Sequence, residues 1–183
     1  MAALDLASFD KSARIAIAGG GIGGLTLARA LQLHGFERVD VFEQWADLKT
    51  RGGFIACRPA EQGGALGVLE TLGLLGQVEA VSPSEEGSFQ RMCNGRVIAA
   101  VEGFRLGPRI MRDTLQQILL ESVTPGTVRF GAGLRDIREC ADHVVLSPEG
   151  GAVERYDLVV AADGINSVVA RKLWPDESSK DFA

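Results

Sequence analysis

The chain has 183 residues, of which 46% are hydrophobic, and a formal net charge of −5. This length and composition suit a globular fold with a hydrophobic core and exclude a disordered polymer. The sequence contains no Lys/Arg-rich block and no apolar run of the roughly 18 residues that a membrane span needs, so we expect neither a nucleic acid nor a membrane as a partner.

The start of the chain, MAALDLASFDK, lacks the basic residues and the long apolar centre of a secretory signal. We therefore interpret residues 1–13 as a frayed tail. The three cysteines are widely spaced and form no CxxC or Cys/His cluster, so we expect neither a disulfide framework nor a metal site. A reducing compartment, the cytoplasm, is the predicted location.

The first predicted elements form one βαβ unit. A buried strand over 14–18 is followed by a glycine-rich turn and by a helix over 25–33, and Gly35 stands where a C-terminal cap belongs. A second strand covers 39–42. Strands joined by such a helix run parallel, with a right-handed crossover.

The remaining elements no longer alternate between strand and helix. In chain order they are a loop over 45–59, helices over 60–72 and 74–81, a turn over 82–87, strands over 89–93 and 96–101, a helix over 109–121, strands near 127–130, 133–139 and 142–147, a strand ending at 158–162, and a closing helix over 165–173. Asn94-Gly95 is typical of a hairpin turn. The prediction is an α/β fold whose parallel sheet is interrupted by an inserted hairpin and antiparallel β segment, with no linker that separates two domains.

The glycine-rich turn has the spacing Gly19-x-Gly21-x-x-Gly24 between the first strand and the first helix. In this pattern the first glycine permits a tight turn, the second lets a diphosphate approach the backbone, and the third lets the helix pack on the strand. The N–H groups of the first helical turn, at Ile22 and Gly23 in this run, have no helical partner and form an anion site. A purely structural turn is the alternative.

Glu43 supports the ligand-binding interpretation. It follows the second strand, 43 − 19 = 24 positions after the first glycine, near the spacing of about 20 expected for an acid that binds a ribose. A carboxylate there accepts hydrogen bonds from both ribose hydroxyls and repels a 2′-phosphate. An adenine dinucleotide is predicted, although the turn alone does not distinguish NAD from FAD.

A second motif, YDLVVAADGINSVVARKL, places Asp163-Gly164 between a buried strand and a helix. Together with four other features, this motif makes the chain resemble the FAD-dependent aromatic-ring hydroxylases. This family comprises the class A flavoprotein monooxygenases, which include para-hydroxybenzoate and salicylate hydroxylases. The four other features are the glycine turn, Glu43, the Arg51-Gly52-Gly53 loop and RIMRDTL around Arg112. The likeness covers most of residues 14–174, in the family's order. It implies a Rossmann-like FAD-binding domain over 14–183.

The resemblance implies roles for the motif residues. The three spaced glycines would hold the FAD diphosphate and Glu43 the adenosine ribose. Arg51, with Gly53, would lie near the diphosphate and the nicotinamide cofactor, and Arg112 on the flavin side. Asp163 and Gly164 would contact both FAD and NAD(P)H.

The implied activity is a monooxygenase reaction. NADH or NADPH would reduce the flavin, O₂ would add to give a flavin hydroperoxide, and an aromatic or related small organic substrate would be hydroxylated. The sequence identifies no catalytic base. Because family members continue for about as long again after the second motif, we expect the flavin-ring and substrate part to be absent. A truncated non-catalytic dinucleotide-binding remnant or partner subunit and an NAD-dependent dehydrogenase remain as alternatives.

Overall fold

The structure is a computed structural model that describes residues 10–48, 52–59, 64–82 and 85–175, with the backbone alone for 85–91 and 99–106. The chain divides into two compact units. Unit 1 comprises Met1–Lys49 and Leu119–Ala183, and unit 2 comprises Thr50–Ile118. In the part of the chain so described, no helix is long and apolar enough to cross a membrane.

The elements of the described chain follow one another in a mixed α/β order. They are β1 (Ile15–Ala18), α1 (Ile22–Leu33), β2 (Val39–Phe42), β3 (Phe54–Ala56), α2 (Ala65–Thr71), α3 (Leu75–Val81), β4 (Glu85–Arg91), β5 (Val97–Gly107), β6 (Arg109–Met111), α4 (Arg112–Ser122), β7 (Val128–Arg129), β8 (Leu134–Glu139), β9 (Val144–Pro148), β10 (Glu154–Tyr156), β11 (Leu158–Ala161) and α5 (Val168–Leu173).

Unit 1 is built on a four-stranded parallel sheet in the order β11-β1-β2-β7. β1 lies at its centre and is buried on both faces. Ile15 and Ile17 pack on one face with residues of α1, while Ala16 and Ala18 pack on the other with residues of α5 and of the β10-β9-β8 antiparallel sheet. The predicted parallel sheet is therefore confirmed, and helix and antiparallel sheet cover its two faces.

The helix α1 begins where the glycine turn ends and stops at the predicted cap. Gly35 has a positive φ of 84°, which glycine adopts without steric cost. Its N–H donates to the carbonyl of Gln32 (3.0 Å), and the N–H of Phe36 donates to the carbonyl of Leu31 (3.1 Å). These two bonds form a Schellman motif, and the buried Phe36 joins the same core cluster as Leu31.

Unit 2 contains two antiparallel pairs, β3 with β6 and β4 with β5. These pairs are the interruption that the sequence predicts in the nucleotide-binding fold. The turn at Asn94-Gly95 joins β4 to β5, with Gly95 at φ 84°. The strands are longer than the predicted 89–93 and 96–101, and β4 begins inside the segment 82–87 that was predicted as a turn.

Three further boundaries of secondary-structure elements differ from the predictions, because the strands there pair with strands that are distant in sequence. Residues 54–56, predicted as loop, form β3, and residues 109–111, predicted as the first turn of a helix, form its partner β6. The chain over 154–161 is two strands rather than one: β10 pairs with β9, and β11 pairs with β1. Residues 60–63 of the predicted helix lie outside the described residues.

A charged network joins β1, β2, β7 and β10 in unit 1. Arg129 forms ion pairs with Asp40 (3.1 Å) and Glu154, and Arg14 reaches Glu154 at 3.2 Å. The hydroxyl of Tyr156, a residue 1% exposed, donates to the Asp40 carboxylate at 2.7 Å. The network satisfies polar groups at the boundary between the parallel and antiparallel sheets.

We expect this network to make the stability of the chain depend on acid pH through Glu154. Burial raises the pKa of its carboxyl, but the hydrogen bond and the positive charge of Arg129, together with the hydrogen bond from Arg14, outweigh burial and hold the pKa below the ordinary 4.5. As the pH falls, the Glu154 carboxyl is therefore protonated in the unfolded chain before it is protonated in the folded chain. The stabilisation by Glu154 is present above pH 4.5 and is lost as the pH falls through the folded-state pKa.

Glu154→Gln should lower the free energy of unfolding at neutral pH by about 1 kcal/mol. The free energy of unfolding should also decrease less between pH 6 and pH 3 in this variant than in wild type. Thermal denaturation at a series of pH values measures both effects. Glu149→Gln, at a carboxylate outside the network, is the matched control. Identical pH profiles for wild type and Glu154→Gln would contradict the assignment.

Candidate nucleotide site in unit 1

The glycine turn closes tightly between β1 and α1. Gly19 has φ 101°, and its N–H donates to the carbonyl oxygen of Phe42 at 2.8 Å. A Cβ atom at Gly19 would overlap the carbonyl oxygen of Ala162 and lie 2.9 Å from the Cα of Asp163. Glycine at this position therefore lets the turn pass directly against the end of β11.

Gly21 and Gly24 meet different surroundings, although both belong to the same motif. A Cβ at Gly24 would overlap the carbonyl oxygen of Gly19 and lie 3.3 Å from Cγ2 of Ile17. Among the described residues, and apart from its chain neighbours and the backbone of α1, no atom would lie within 4 Å of a Cβ at Gly21, and the same is true of Gly23. Gly24 is thus needed for helix packing, whereas the missing side chain at Gly21 leaves open space in front of the backbone.

The open space faces the start of α1. Gly21 is its N-cap and provides no side-chain hydrogen bond, and the first turn holds no acidic residue. The first N–H groups of a helix lack acceptors within the helix and lie at the positive end of its dipole. The chain at Gly21–Gly24 therefore presents partial positive charge to the open space, as a bound diphosphate requires.

Glu43 lies immediately after β2 and faces the glycine turn. It is 8% exposed. Its Oε2 accepts from the N–H of Gly20 at 2.8 Å, and its Oε1 accepts from the N–H of Trp45 at 2.9 Å. Each carboxylate oxygen retains a further lone pair, so the side chain is held in place and can still accept hydrogen bonds from a sugar.

Gly20 has a role that the motif spacing did not predict. A Cβ at this residue would lie 3.1 Å from both Cβ and Oε2 of Glu43. The missing side chain at Gly20 therefore lets the carboxylate reach the backbone of the turn. The uninterrupted Gly19-Gly20-Gly21 run was the available signal, because the dinucleotide pattern itself leaves the middle position free.

Asp163 and Gly164 lie beside the same turn, at the end of β11. Oδ2 of Asp163 accepts from the N–H of Val168 at 2.7 Å and so caps α5 together with Ser167, whose Oγ accepts from Ala170 N–H. This cap explains why the helix begins at Val168 and not at the predicted Ile165. Among the described residues, Oδ1 of Asp163 is buried without a hydrogen-bond partner.

A buried carboxylate oxygen without a donor is unfavourable unless a ligand or water supplies one. Oδ1 of Asp163, the open space at Gly21 and the uncapped start of α1 lie around one turn. Together with Glu43, they fit the diphosphate and ribose of a dinucleotide.

The other predicted site residues belong to unit 2. The N–H of Arg112 donates to the carbonyl of Gly53 at 3.2 Å, and a Cβ at Gly52 would lie 2.7 Å from Cδ of Arg112. Gly52, with φ 130°, therefore makes room for the arginine side chain. Arg51 lies outside the described residues.

Comparison with known proteins supports the same class of fold. Residues 17–54 match the family described as NAD(P)-binding Rossmann-like domain. The chain is also similar to 3-amino-4-hydroxybenzoate 2-monooxygenase PtmB3 of Streptomyces platensis, at 34% identity over 89% of this chain and 42% of that protein.

Two solved structures share the fold. One is p-nitrophenol 4-monooxygenase PnpA from Pseudomonas putida DLL-E4, with a TM-score of 0.77 and 22% identity over 89% of this chain and 44% of that one. The other is Klebsiella pneumoniae HpxO complexed with FAD and uric acid, with a TM-score of 0.73 and 24% identity over 86% of this chain and 41% of that one.

The parallel sheet and the glycine turn define a Rossmann-like fold. The relatives that the chain matches include monooxygenases and hydroxylases of aromatic compounds, and the chain is similar to their N-terminal portion, in agreement with the resemblance carried by the sequence motifs. It spans about two fifths of the length of the relatives it matches.

Proposed function

We propose that this chain is the FAD-binding portion of an NAD(P)H-dependent flavoprotein monooxygenase that hydroxylates an aromatic or related small organic substrate. The observation that carries the proposal is the pairing of the open glycine turn with Glu43, whose carboxylate lies 2.8 Å from the N–H of Gly20. A purely structural turn needs neither open space at Gly21 nor a buried acid at its side.

The diphosphate of FAD would lie against the backbone at Gly19, Gly21 and Gly24, with the N–H groups of Ile22 and Gly23 directed at its oxygens. Glu43 would accept hydrogen bonds from the hydroxyls of the adenosine ribose. Its two existing bonds to backbone N–H groups fix the carboxylate before the cofactor arrives, which lowers the ordering cost of binding.

Asp163 and Gly164 would complete the cofactor site from β11. The unpartnered Oδ1 of Asp163 would accept a hydrogen bond from a cofactor hydroxyl or from a bridging water. Gly164, with φ 78° and no protein atom within 4 Å of a Cβ position, leaves the backbone accessible to a ligand. The resemblance assigns cofactor contacts to Arg51, Gly53 and Arg112 as well, and these assignments belong to the proposal. The guanidinium of either arginine suits a diphosphate or a flavin carbonyl.

FAD, when bound, supplies the redox chemistry: it takes a hydride from NADH or NADPH and activates O₂. The part of the chain assigned here holds and orients the cofactor. No residue is assigned as a catalytic base. A cytoplasmic location and the absence of a nucleic-acid partner, both predicted from the sequence, belong to this proposal.

The proposal is tested by reconstitution of the purified chain with FAD. We expect this FAD-binding portion to retain visible flavin absorbance after gel filtration. Consumption of NADH or NADPH with formation of a hydroxylated product, in a screen of phenols and aminobenzoates, would establish the monooxygenase activity and reject the non-catalytic alternative. Flavin retention without NAD(P)H consumption would favour the alternative, a non-catalytic dinucleotide-binding remnant or partner subunit. Tight NAD binding with FAD excluded would overturn the proposal in favour of a dehydrogenase.

Glu43→Ala should weaken FAD binding by roughly 10- to 100-fold, because hydrogen bonds to a charged partner contribute about 1.5–3 kcal/mol. Isothermal titration of FAD measures the loss. Glu139→Ala, a change of an exposed carboxylate at the end of β8 in unit 1, is the control and should bind like wild type. Equal affinity of Glu43→Ala and wild type would contradict the ribose assignment.

A further inference from the structure

The backbone of Glu43 is bonded on both sides to the segment that begins with β7. The N–H of Glu43 donates to the carbonyl oxygen of Arg129 at 3.0 Å. The carbonyl oxygen of Glu43 accepts from the N–H of Ala132 at 2.9 Å. The place of the Glu43 carboxylate therefore depends on where residues 129–132 lie.

The strand β7 is short and lies at the edge of its sheet. Its register with β2 covers two residue pairs, Val41 with Val128 and Phe42 with Arg129. In the described part of the chain, β2 is the only strand that pairs with it. Short segments with few backbone hydrogen bonds open locally more readily than central strands. The backbone pairing of β7 is thus a weak support for Glu43.

The guanidinium of Arg129 adds a support from two other strands. One terminal nitrogen lies 3.1 Å from Oδ1 of Asp40 on β2, and the other donates to Oε1 of Glu154 on β10. The central carbon of the guanidinium lies 5.1 Å from the centre of the Phe42 ring. A planar guanidinium between two carboxylates and an aromatic ring has a defined orientation. The side chain of Arg129 therefore ties β7 to β2 and to the antiparallel sheet.

The two carboxylates that hold Arg129 are themselves fixed by other strands. Oδ2 of Asp40 accepts from the hydroxyl of the buried Tyr156 at 2.7 Å. Oε2 of Glu154 accepts from the guanidinium of Arg14 at 3.2 Å. Long charged side chains on an open surface lose much of the benefit of an ion pair to their own flexibility. Here the partners of Arg129 are restrained before it binds them.

We propose that Arg129 is a positioning residue for the carboxylate of Glu43. This inference rests on the proposed function, in which Glu43 binds the ribose. Arg129 acts without touching the cofactor: its ion pairs fix the carbonyl oxygen that accepts from the N–H of Glu43. The backbone of Glu43 in turn sets the direction of its carboxylate, and hydrogen bonds weaken steeply when their geometry is lost. The charged network thereby contributes to cofactor affinity as well as to stability.

Arg129→Met removes the charge and keeps a long apolar side chain. It should weaken binding of ADP to the full chain about three- to tenfold, the range of coupling within one network. Arg129→Lys keeps the charge but lacks the planar fork, so its ADP affinity should lie between those of wild type and Arg129→Met. Lys172→Met is the matched control, because it breaks the ion pair with Asp136 (3.0 Å) that joins α5 to β8, and it should bind ADP like wild type. Isothermal titration measures all four proteins.

A double-mutant cycle separates positioning from a general loss of structure. In a Glu43→Ala chain the carboxylate to be positioned is missing, so adding Arg129→Met should change ADP affinity by less than about twofold. Equal weakening by Arg129→Met in the presence and absence of Glu43 would overturn the proposal, as would wild-type ADP affinity in Arg129→Met. Failure of wild type to bind either ADP or FAD would overturn the proposed function itself.

Amide hydrogen exchange gives a second readout of the same role. The Glu43 amide should exchange faster in Arg129→Met than in wild type, because the acceptor of its hydrogen bond is less well held. The amide of Gly19, which donates to the carbonyl oxygen of Phe42 at 2.8 Å, should keep its rate. An unchanged exchange rate at Glu43 would contradict the proposal. If Arg129→Met does not fold, Asp40→Asn removes one of the charges that hold Arg129 and takes its place in the cycle, with the same expected results.

Discussion

A Gly21→Val variant should fold like wild type and lose FAD and ADP binding by at least about 100-fold. The structure leaves open space where the new side chain would begin, so no protein atom is displaced. The valine would instead occupy the position of the diphosphate and block two or more charge-assisted hydrogen bonds, each contributing roughly 1.5–3 kcal/mol. Isothermal titration with ADP measures the effect without any contribution from the flavin ring.

Gly76→Ala in α3 is the matched control, because its Cβ also has no protein atom within 4 Å. This variant should bind ADP like wild type. Circular dichroism and thermal denaturation should show a folded Gly21→Val chain. Wild-type ADP affinity in that folded variant would contradict the diphosphate assignment.

Gly24→Ala should destabilise the chain by about 3 kcal/mol or more, although it adds a single methyl group. That methyl would overlap the carbonyl oxygen of Gly19 and press on Ile17, which is fully buried in β1. A backbone oxygen cannot rotate away as a flexible side chain does, so relief requires α1 to move off the sheet. Such a loss is a large part of the 5–15 kcal/mol that stabilises a typical domain.

The neighbouring Gly23→Ala provides the comparison. Its methyl would meet no protein atom within 4 Å, and alanine replaces glycine within α1. We expect unchanged or higher stability, by up to about 1 kcal/mol, because alanine has the better helix propensity. Chemical denaturation of both variants measures the difference. Equal stability of Gly24→Ala and Gly23→Ala would contradict the close approach of α1 to the turn.

The sequence predicts the fold of β1, α1 and β2 in unit 1 well because its signals are local. The apolar strand, the glycine turn, the cap at Gly35 and the acid at Glu43 lie within about 30 residues, the length of a βαβ unit. Each of these features requires a particular residue type for a steric or electrostatic reason. The structure places the carboxylate of Glu43 against the N–H of Gly20, and its role towards a ribose stays a prediction.

The sequence predicts less where a strand depends on a distant partner. β3 and β6 have three residues each, and they are separated by more than 50 positions. Strands this short show no clear hydrophobic period, so the loop and helix expectations at 54–56 and 109–111 were wrong. The division between β10 and β11 has the same origin: Asp157 bonds to the backbone of Arg14 where the chain changes sheets.

The roles of individual site residues were predictable to different degrees. The motif assigns different roles to Gly21 and Gly24, and their three-dimensional neighbours differ in the same sense. A Cβ at Gly24 would overlap the carbonyl oxygen of Gly19, whereas, apart from its chain neighbours and the backbone of α1, no atom of the described residues would lie within 4 Å of a Cβ at Gly21. The contact of Gly20 with Glu43 was not predicted, because the two residues are 23 positions apart in sequence. Short-range patterns contain no information about such contacts.

The central claim, that the main-chain amides of the glycine turn hold the diphosphate, is tested most directly by titrating ¹⁵N-labelled chain with ADP and following each amide by NMR. We expect the largest chemical-shift changes at Gly19–Gly24, with a second group of changes at Glu43–Trp45. Saturable ADP binding with the largest changes in other segments and none in the glycine turn would contradict the assignment of the diphosphate to this turn.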